Sequence, residues 1–207
     1  MNLKGTVGQA VLAALSSTVI VYCSTVSLAF GQTPAANHTI PSSLTLPSGE
    51  SASFHKRIAE VLSGLPKTLL VEESRGATDI SVYKKAAPAT VLVVTDQGLG
   101  SGVVLSSTGE VITNYHVIQN AKKVVVIFKP EKGVQIRKEL ARLAIPTKID
   151  EVADLALLEV QEPPPNLPYL SLGTMTTLEV GDDVHAIGHP EGEVWTYTTG
   201  TISQIRP

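Results

Sequence analysis

TVLVVTDQGLGSGVVLSSTGEVITNYHVIQNAKKVVVIF, residues 90–128, decides how the chain is read. Short runs of valine, isoleucine and leucine alternate with glycine-containing turns at small intervals, which is the pattern of strands and not of helices. The predicted strands are Thr90 to Thr95, Gly102 to Leu105, Glu110 to Thr113 and Lys123 to Phe128, with Ser106-Ser107-Thr108-Gly109 as a hairpin turn between the second and third. Val117 to Ala121 reads as a short turn of helix after the third strand. Further on, Leu155 to Val160 is another strand. Val134 to Ile145 fits a helix through Ile136, Leu140 and Leu143 or else two strands, and its strand neighbours favour the second reading. Several short strands so spaced define an all-β unit, either a closed barrel or a sandwich.

Beyond this unit, Gln161-Glu162-Pro163-Pro164-Pro165-Asn166-Leu167-Pro168 cannot supply a regular ladder of backbone donors and is expected to be an extended connection. A second β unit follows, with Gly181-Asp182-Asp183 as a solvated turn, Val184 to Gly188 as a strand and Val194 to Ile205 as a β-prone run. Trp195 and Tyr197 are expected to alternate on one face of that run as packing residues. Towards the N-terminus, Phe54, Ile58, Val61 and Leu62 recur at helical spacing before Gly64-Leu65-Pro66, and Asp79 to Lys85 predicts one more helical turn before Pro88. Residues 32–53, rich in proline, serine and threonine, read as a flexible tether.

No charged residue lies between Lys4 and Glu50, and Val11 to Phe30 is almost continuously apolar or small. Residues 1–31 therefore read as an export signal, with Ala29 and Gly31 at the minus-three and minus-one positions of a cut before Gln32. The rival reading is an uncleaved anchor, because about 20 apolar residues can span a bilayer. Cleavage would remove Cys23, the chain's one cysteine, which already excludes an intrachain disulfide and a cysteine-based zinc site. With 207 residues, 43% of them apolar, and a net charge of −3, the chain has enough apolar material for a packed core. It holds no block of lysine or arginine, so no nucleic-acid partner is expected.

Two residues stand out chemically. His116 follows one strand directly, and histidine is the natural general base near neutral pH. Asp154 opens the apolar strand Leu155 to Val160, where a carboxylate is costly unless a cation or donor receives it. His185 and His189, four residues apart, are close enough in sequence for a metal pair, but no third ligand in matching register accompanies them, so neither a metal nor another cofactor is expected.

Gly100-Ser101-Gly102-Val103-Val104, then Gly109 to Val117 containing Thr113-Asn114-Tyr115-His116, then Asp154-Leu155-Ala156-Leu157-Leu158, and then Val180 to Gly192 occur in order, with Thr199-Gly200-Thr201-Ile202-Ser203 after them. This succession resembles the HtrA (Deg) branch of trypsin-like serine proteases. The resemblance implies a double β-barrel, with the first barrel complete within residues 87–162 and the second begun in 163–207, preceded by a helical segment at 54–86. It also implies a His-Asp-Ser triad in which His116 is the general base and Asp154 orients it. The substrates implied are unfolded or damaged proteins. A periplasmic or extracellular location and homo-oligomeric assembly of the full-length protein are expected with it.

The family's nucleophile lies in an Asn-Ser-Gly-Gly or Asp-Ser-Gly-Gly turn, and no such tetrad occurs in residues 1–207. Ser101 belongs to the strand before the histidine, and Ser171 and Ser203 lack glycine-rich surroundings. Two explanations compete: a C-terminally cut piece of a longer protease, which is preferred, or a noncatalytic trypsin-fold binding module. In either case the chain as written is expected to be inert.

Overall fold

The computed structural model describes residues 10–15, 18–23, 56–60, 63–64, 76–131, 136, 138–173, 178–190 and 193–205. In chain order the elements are β1 (Ala10–Leu15), β2 (Thr18–Cys23), α1 (Ala77–Ala86), β3 (Thr90–Thr95), β4 (Leu99–Val104), β5 (Glu110–Asn114), α2 (Tyr115–Ile118), β6 (Val124–Ile127), β7 (Ala141–Asp150), β8 (Leu155–Val160), β9 (Asp183–Gly188) and β10 (Thr196–Thr201).

Strands β3 to β8 close into an antiparallel barrel in the order β3-β4-β5-β8-β7-β6. Closure pairs every strand on both sides and leaves no open edge. The β-branched residues that mark these strands in the sequence fill the interior, where Leu92, Ile112, Ile127 and Leu158 are among the largest fully buried side chains. All six positions of β3 are buried, so both its faces are covered. That double cover explains why Val91 to Val94 reads as a continuous apolar run and not as an alternation. Gly109, at φ 93, ends the turn from β4 to β5 in a backbone conformation that side chains rarely adopt.

Several boundaries depart from the sequence reading. Strand β4 begins at Leu99, three residues early, because Gly100 and Ser101 pair with Val93 and Leu92. The short helix is Tyr115–Ile118 and not Val117 to Ala121. The expected turn at Asp79 to Lys85 is a ten-residue helix. The two strands expected across Val134 to Ile145 are replaced, where described, by a 3-10 turn at Lys138–Leu140 and a single ten-residue strand, β7. That strand pairs with β6 along its first half and with β8 over most of its length, and a register shift between Pro146 and Lys148 absorbs the proline's missing N–H.

Strands β9 and β10 pair as an antiparallel ribbon at one side of a second sheet, of order β1-β2-β9-β10. Trp195 precedes β10 with φ 52, so Trp195 and Tyr197 do not alternate along one strand as expected. The indole instead turns into the protein and donates through Nε1 to the Thr90 carbonyl at 2.7 Å. Burial of so large a ring is favourable only with its N–H satisfied, and the barrel's first strand supplies that acceptor.

Residues 56–60 and 63–64 are helical, while 54, 55, 61 and 62 lie outside the described residues, as do the segment read as a tether at 32–53 and most of that read as an export signal. Within the latter, β1 and β2 pair with each other, and β2 meets β9 at Ile20↔Ala186 and Val21↔His185. Among the described residues no helix is long and apolar enough to cross a membrane.

Candidate active site

The register of two neighbouring barrel strands creates the site. β5 and β8 are antiparallel and their last rung is Asn114↔Leu155. One residue beyond that rung, the Tyr115 N–H donates to the Asp154 carbonyl at 3.1 Å. Asp154 sits in the left-handed region at φ 53, which aspartate tolerates better than most residues. The chain after Asn114 coils at once into α2, and the Asp154 carboxylate takes the position of a cap on it, with Oδ1 accepting the His116 backbone N–H at 2.9 Å. Oδ2 lies 2.6 Å from Nδ1 of the His116 ring. The buried Asn114 side chain adds a donation from Nδ2 to the same Oδ2 at 3.1 Å and to the Asp154 carbonyl at 3.2 Å.

Partial burial works to raise the Asp154 pKa. The hydrogen bonds and charge interaction with His116, together with the Asn114 bond, outweigh it and hold the carboxyl below its ordinary range. An ionised Asp154 fixes the proton of a neutral imidazole on Nδ1 and leaves Nε2 as the lone-pair nitrogen. The two side chains are 42% and 41% exposed, so the pair lies at the barrel surface and is open to an incoming group.

A glycine makes room for the helical turn that carries His116. A Cβ on Gly100 would lie 2.5 Å from Val117, the residue after the histidine. The glycine in β4 therefore permits the close approach of α2, and with it the placing of the imidazole.

Other residues singled out in the sequence go elsewhere. The Ser101 hydroxyl is buried and contacts His189, accepting its backbone N–H at 3.0 Å and lying 3.1 Å from its Nδ1. His185 Nδ1 lies 2.6 Å from the Tyr197 hydroxyl and 3.8 Å from Asp79 on α1. Burial, then the bond and charge of Asp79, raise the Tyr197 pKa so that its hydroxyl stays protonated. The two histidines thus bond to different partners. Among the described residues no group of three histidine, cysteine or acidic side chains could hold a metal ion. Asp182 accepts the Glu179 N–H at 2.9 Å and closes the turn before β9.

Asn114 has no role that the sequence pattern assigns, nor has Lys129, whose Nζ lies 4.9 Å from the Trp195 ring centroid and 5.7 Å from that of Tyr83. The signal for Asn114 was its place two residues before a candidate base. Nothing local could have signalled Lys129, whose partners lie 46 and 66 positions away.

Residues 100–207, more than half the chain, match the trypsin-like peptidase domain family, and the chain belongs to that family. The homology is of the HtrA/DegP type and covers roughly the C-terminal half. The chain is 36% identical over 110 residues to the putative serine protease HhoA of Synechocystis sp., a match that takes in 52% of this chain and 25% of that protein. It is 34% identical over 129 residues to Protease Do-like 1, chloroplastic, of Arabidopsis thaliana, covering 62% and 27% of the two chains. Among solved structures it resembles the serine endoprotease from Yersinia pestis with a TM-score of 0.53 and 33% identity, over 64% of this chain and 46% of that one. The chain therefore spans about a quarter of the length of these curated relatives.

Proposed function

We propose that His116 and Asp154 are the base and the orienting acid of an HtrA-type serine endopeptidase that acts on unfolded or damaged proteins. The observation that carries this reading is the 2.6 Å contact between His116 Nδ1 and Asp154 Oδ2, on a carboxylate already held by the His116 N–H and by Asn114. Asp154 accepts a hydrogen bond from the Nδ1–H group and so presents Nε2 to a serine hydroxyl. Nε2 takes the hydroxyl proton as the serine attacks the peptide carbonyl, the ionised Asp154 steadies the imidazolium, and the same proton then goes to the leaving amine.

Residues 1–207 contain no Asn-Ser-Gly-Gly or Asp-Ser-Gly-Gly turn, and Ser101 is engaged with His189. On the peptidase reading the nucleophile and the oxyanion donors are supplied from outside these residues. Loss of a triad nucleophile costs on the order of a millionfold in kcat. The absent serine turn also favours a second reading, a noncatalytic binding module that keeps the fold without the chemistry. Translation of the complete reading frame and a casein assay beside its His116→Ala variant separate the two. Cleavage that falls at least about 10⁴-fold in the variant supports the peptidase. Equal cleavage by both proteins overturns the assignment of His116, and a frame that ends without an Asn-Ser-Gly-Gly or Asp-Ser-Gly-Gly turn and gives no cleavage supports the binder.

The proposal includes export to the periplasm or the extracellular space through residues 1–31. It draws support from the charge-free apolar run and from relatives named periplasmic, such as the DegP-like endoprotease of Hahella chejuensis. Recovery of a cytoplasmic product that retains Met1 would overturn it.

A further inference from the structure

The Asp154 carboxylate has two unlike sides. In front, the His116 ring is open to water; behind, the Asn114 side chain is buried at 2% exposure. Asn114 stands where a helix cap belongs, immediately before α2, yet its side chain makes no capping bond to that helix. The amide instead reaches across to β8. Its two partners there, the Asp154 carbonyl and Oδ2, are acceptors only, so the nitrogen and not the oxygen must face them. One NH₂ group thereby ties the backbone of Asp154 to its own carboxylate.

That tie restrains the one degree of freedom the site cannot spare. Asp154 ends a tight turn in a left-handed conformation, and its N–H makes only a long 3.4 Å bond to Glu151. The two oxygens must divide their work, Oδ1 taking the backbone N–H of His116 and Oδ2 its ring. Rotation about the Asp154 side chain would exchange or break both. The buried amide, donating to Oδ2 and not to Oδ1 of the carboxylate, selects the orientation in which Oδ2 meets Nδ1. We propose that Asn114 is a positioning residue, acting through Asp154 to fix the tautomer and orientation of the His116 imidazole. This inference rests on the catalytic reading of the pair and adds a third member to its support.

The test needs no turnover and uses the 207-residue chain. Histidine ¹⁵N spectra and the low-field Nδ1 proton of His116 are recorded for the wild type, Asp154→Asn, Asn114→Ala and the isosteric Asn114→Asp. The wild type is expected to hold its proton on Nδ1 with slow solvent exchange. Asn114→Ala should speed that exchange about tenfold, the equivalent of one lost hydrogen bond, and mix the tautomers. Asn114→Asp places a second carboxylate beside Oδ2, so the two acids share a proton. Its Nδ1 signal should persist in mild acid and disappear as the pH rises, unlike that of the wild type. If Asn114→Ala perturbs folding, the Asn114→Asp titration decides alone. Wild-type spectra and pH response in the Asn114 variants overturn the positioning role while leaving the pair intact. A His116 signal unchanged in Asp154→Asn overturns the pair itself, and with it the reading of the site.

Discussion

The barrel from β3 to β8 and the ribbon of β9 and β10 are both antiparallel β-structure, yet they are held by different means. In the barrel each strand has two neighbours, and most of the buried apolar side chains fill its interior or cover its walls. The ribbon has little interior of its own. β10 is exposed from Thr198 to Thr201, and among its well-buried residues are His185, Ile187 and His189, with Trp195 leading into β10. Besides the pairing of β9 with β2, its attachment to the barrel depends on a few specific contacts: the indole bond to Thr90, the Tyr83 hydroxyl donating to the Trp195 carbonyl at 3.1 Å, and the Ser101 to His189 pair. A closed barrel loses stability through cavities, whereas a ribbon pinned by polar and aromatic groups also loses it through protonation.

The largest effect should come from Trp195→Ala, which removes a buried indole and its bond to Thr90. A cost of about 3–5 kcal/mol is expected. Hydrogen exchange should show protection lost in β9 and β10 while β3 to β8 keep theirs; equal loss in both regions would remove the distinction.

Acid comes next. Burial, then the nearby Lys129 charge, hold the His189 pKa down to about 3, and its Nε2 has no hydrogen-bond partner among the described residues. An unfolded chain accepts a proton on this residue near pH 6.5 that the folded chain refuses. Stability therefore falls as pH drops from about 6.5 towards 3, by up to about 1.4 kcal/mol per pH unit. Chemical denaturation at several pH values reads the slope, and His189→Asn should flatten it. The folded pKa of Asp154 is lowered too, but from the carboxylate range, so it acts at lower pH. Its contribution is complete above the ordinary carboxylate range and is lost only as pH falls through the folded value, below most of the His189 window.

Gly100→Ala probes the barrel on its functional side. The added methyl group meets Val117, and overpacking of this kind costs about 1–3 kcal/mol. Displacement of α2 should also weaken the low-field His116 signal, while the ribbon keeps its protection. The smallest effect is expected for Asp154→Ala, which takes the cap from α2 at about 1 kcal/mol, measured by urea denaturation. A loss above 3 kcal/mol would mean that the pair serves the fold and not the chemistry.

Most of the barrel was legible because its strands carry a local signal: β-branched runs bounded by glycine turns. β7 was not, since Ile136, Leu140 and Leu143 fall at helical spacing while the ten-residue strand is set by pairing with β6 and β8. Trp195 was misplaced for a related reason, as its positive φ follows from an acceptor 105 residues away. At the site, His116 and Asp154 were named from motif order, but the role of Asn114 was not. An asparagine before a helix reads locally as a cap, and only the register of β5 against β8 turns it towards a carboxylate 40 residues on.

The all-β character, the turn glycines and the residue types able to move a proton are written into the amino-acid order, because backbone preference and side-chain chemistry are properties of single residues and their near neighbours. The tertiary structure decided which oxygen of Asp154 faces which nitrogen, that Ser101 serves His189, and that a lysine lies against two aromatic rings. Those outcomes depend on strand pairing and burial between distant segments, and such energies exist only once the chain has closed on itself.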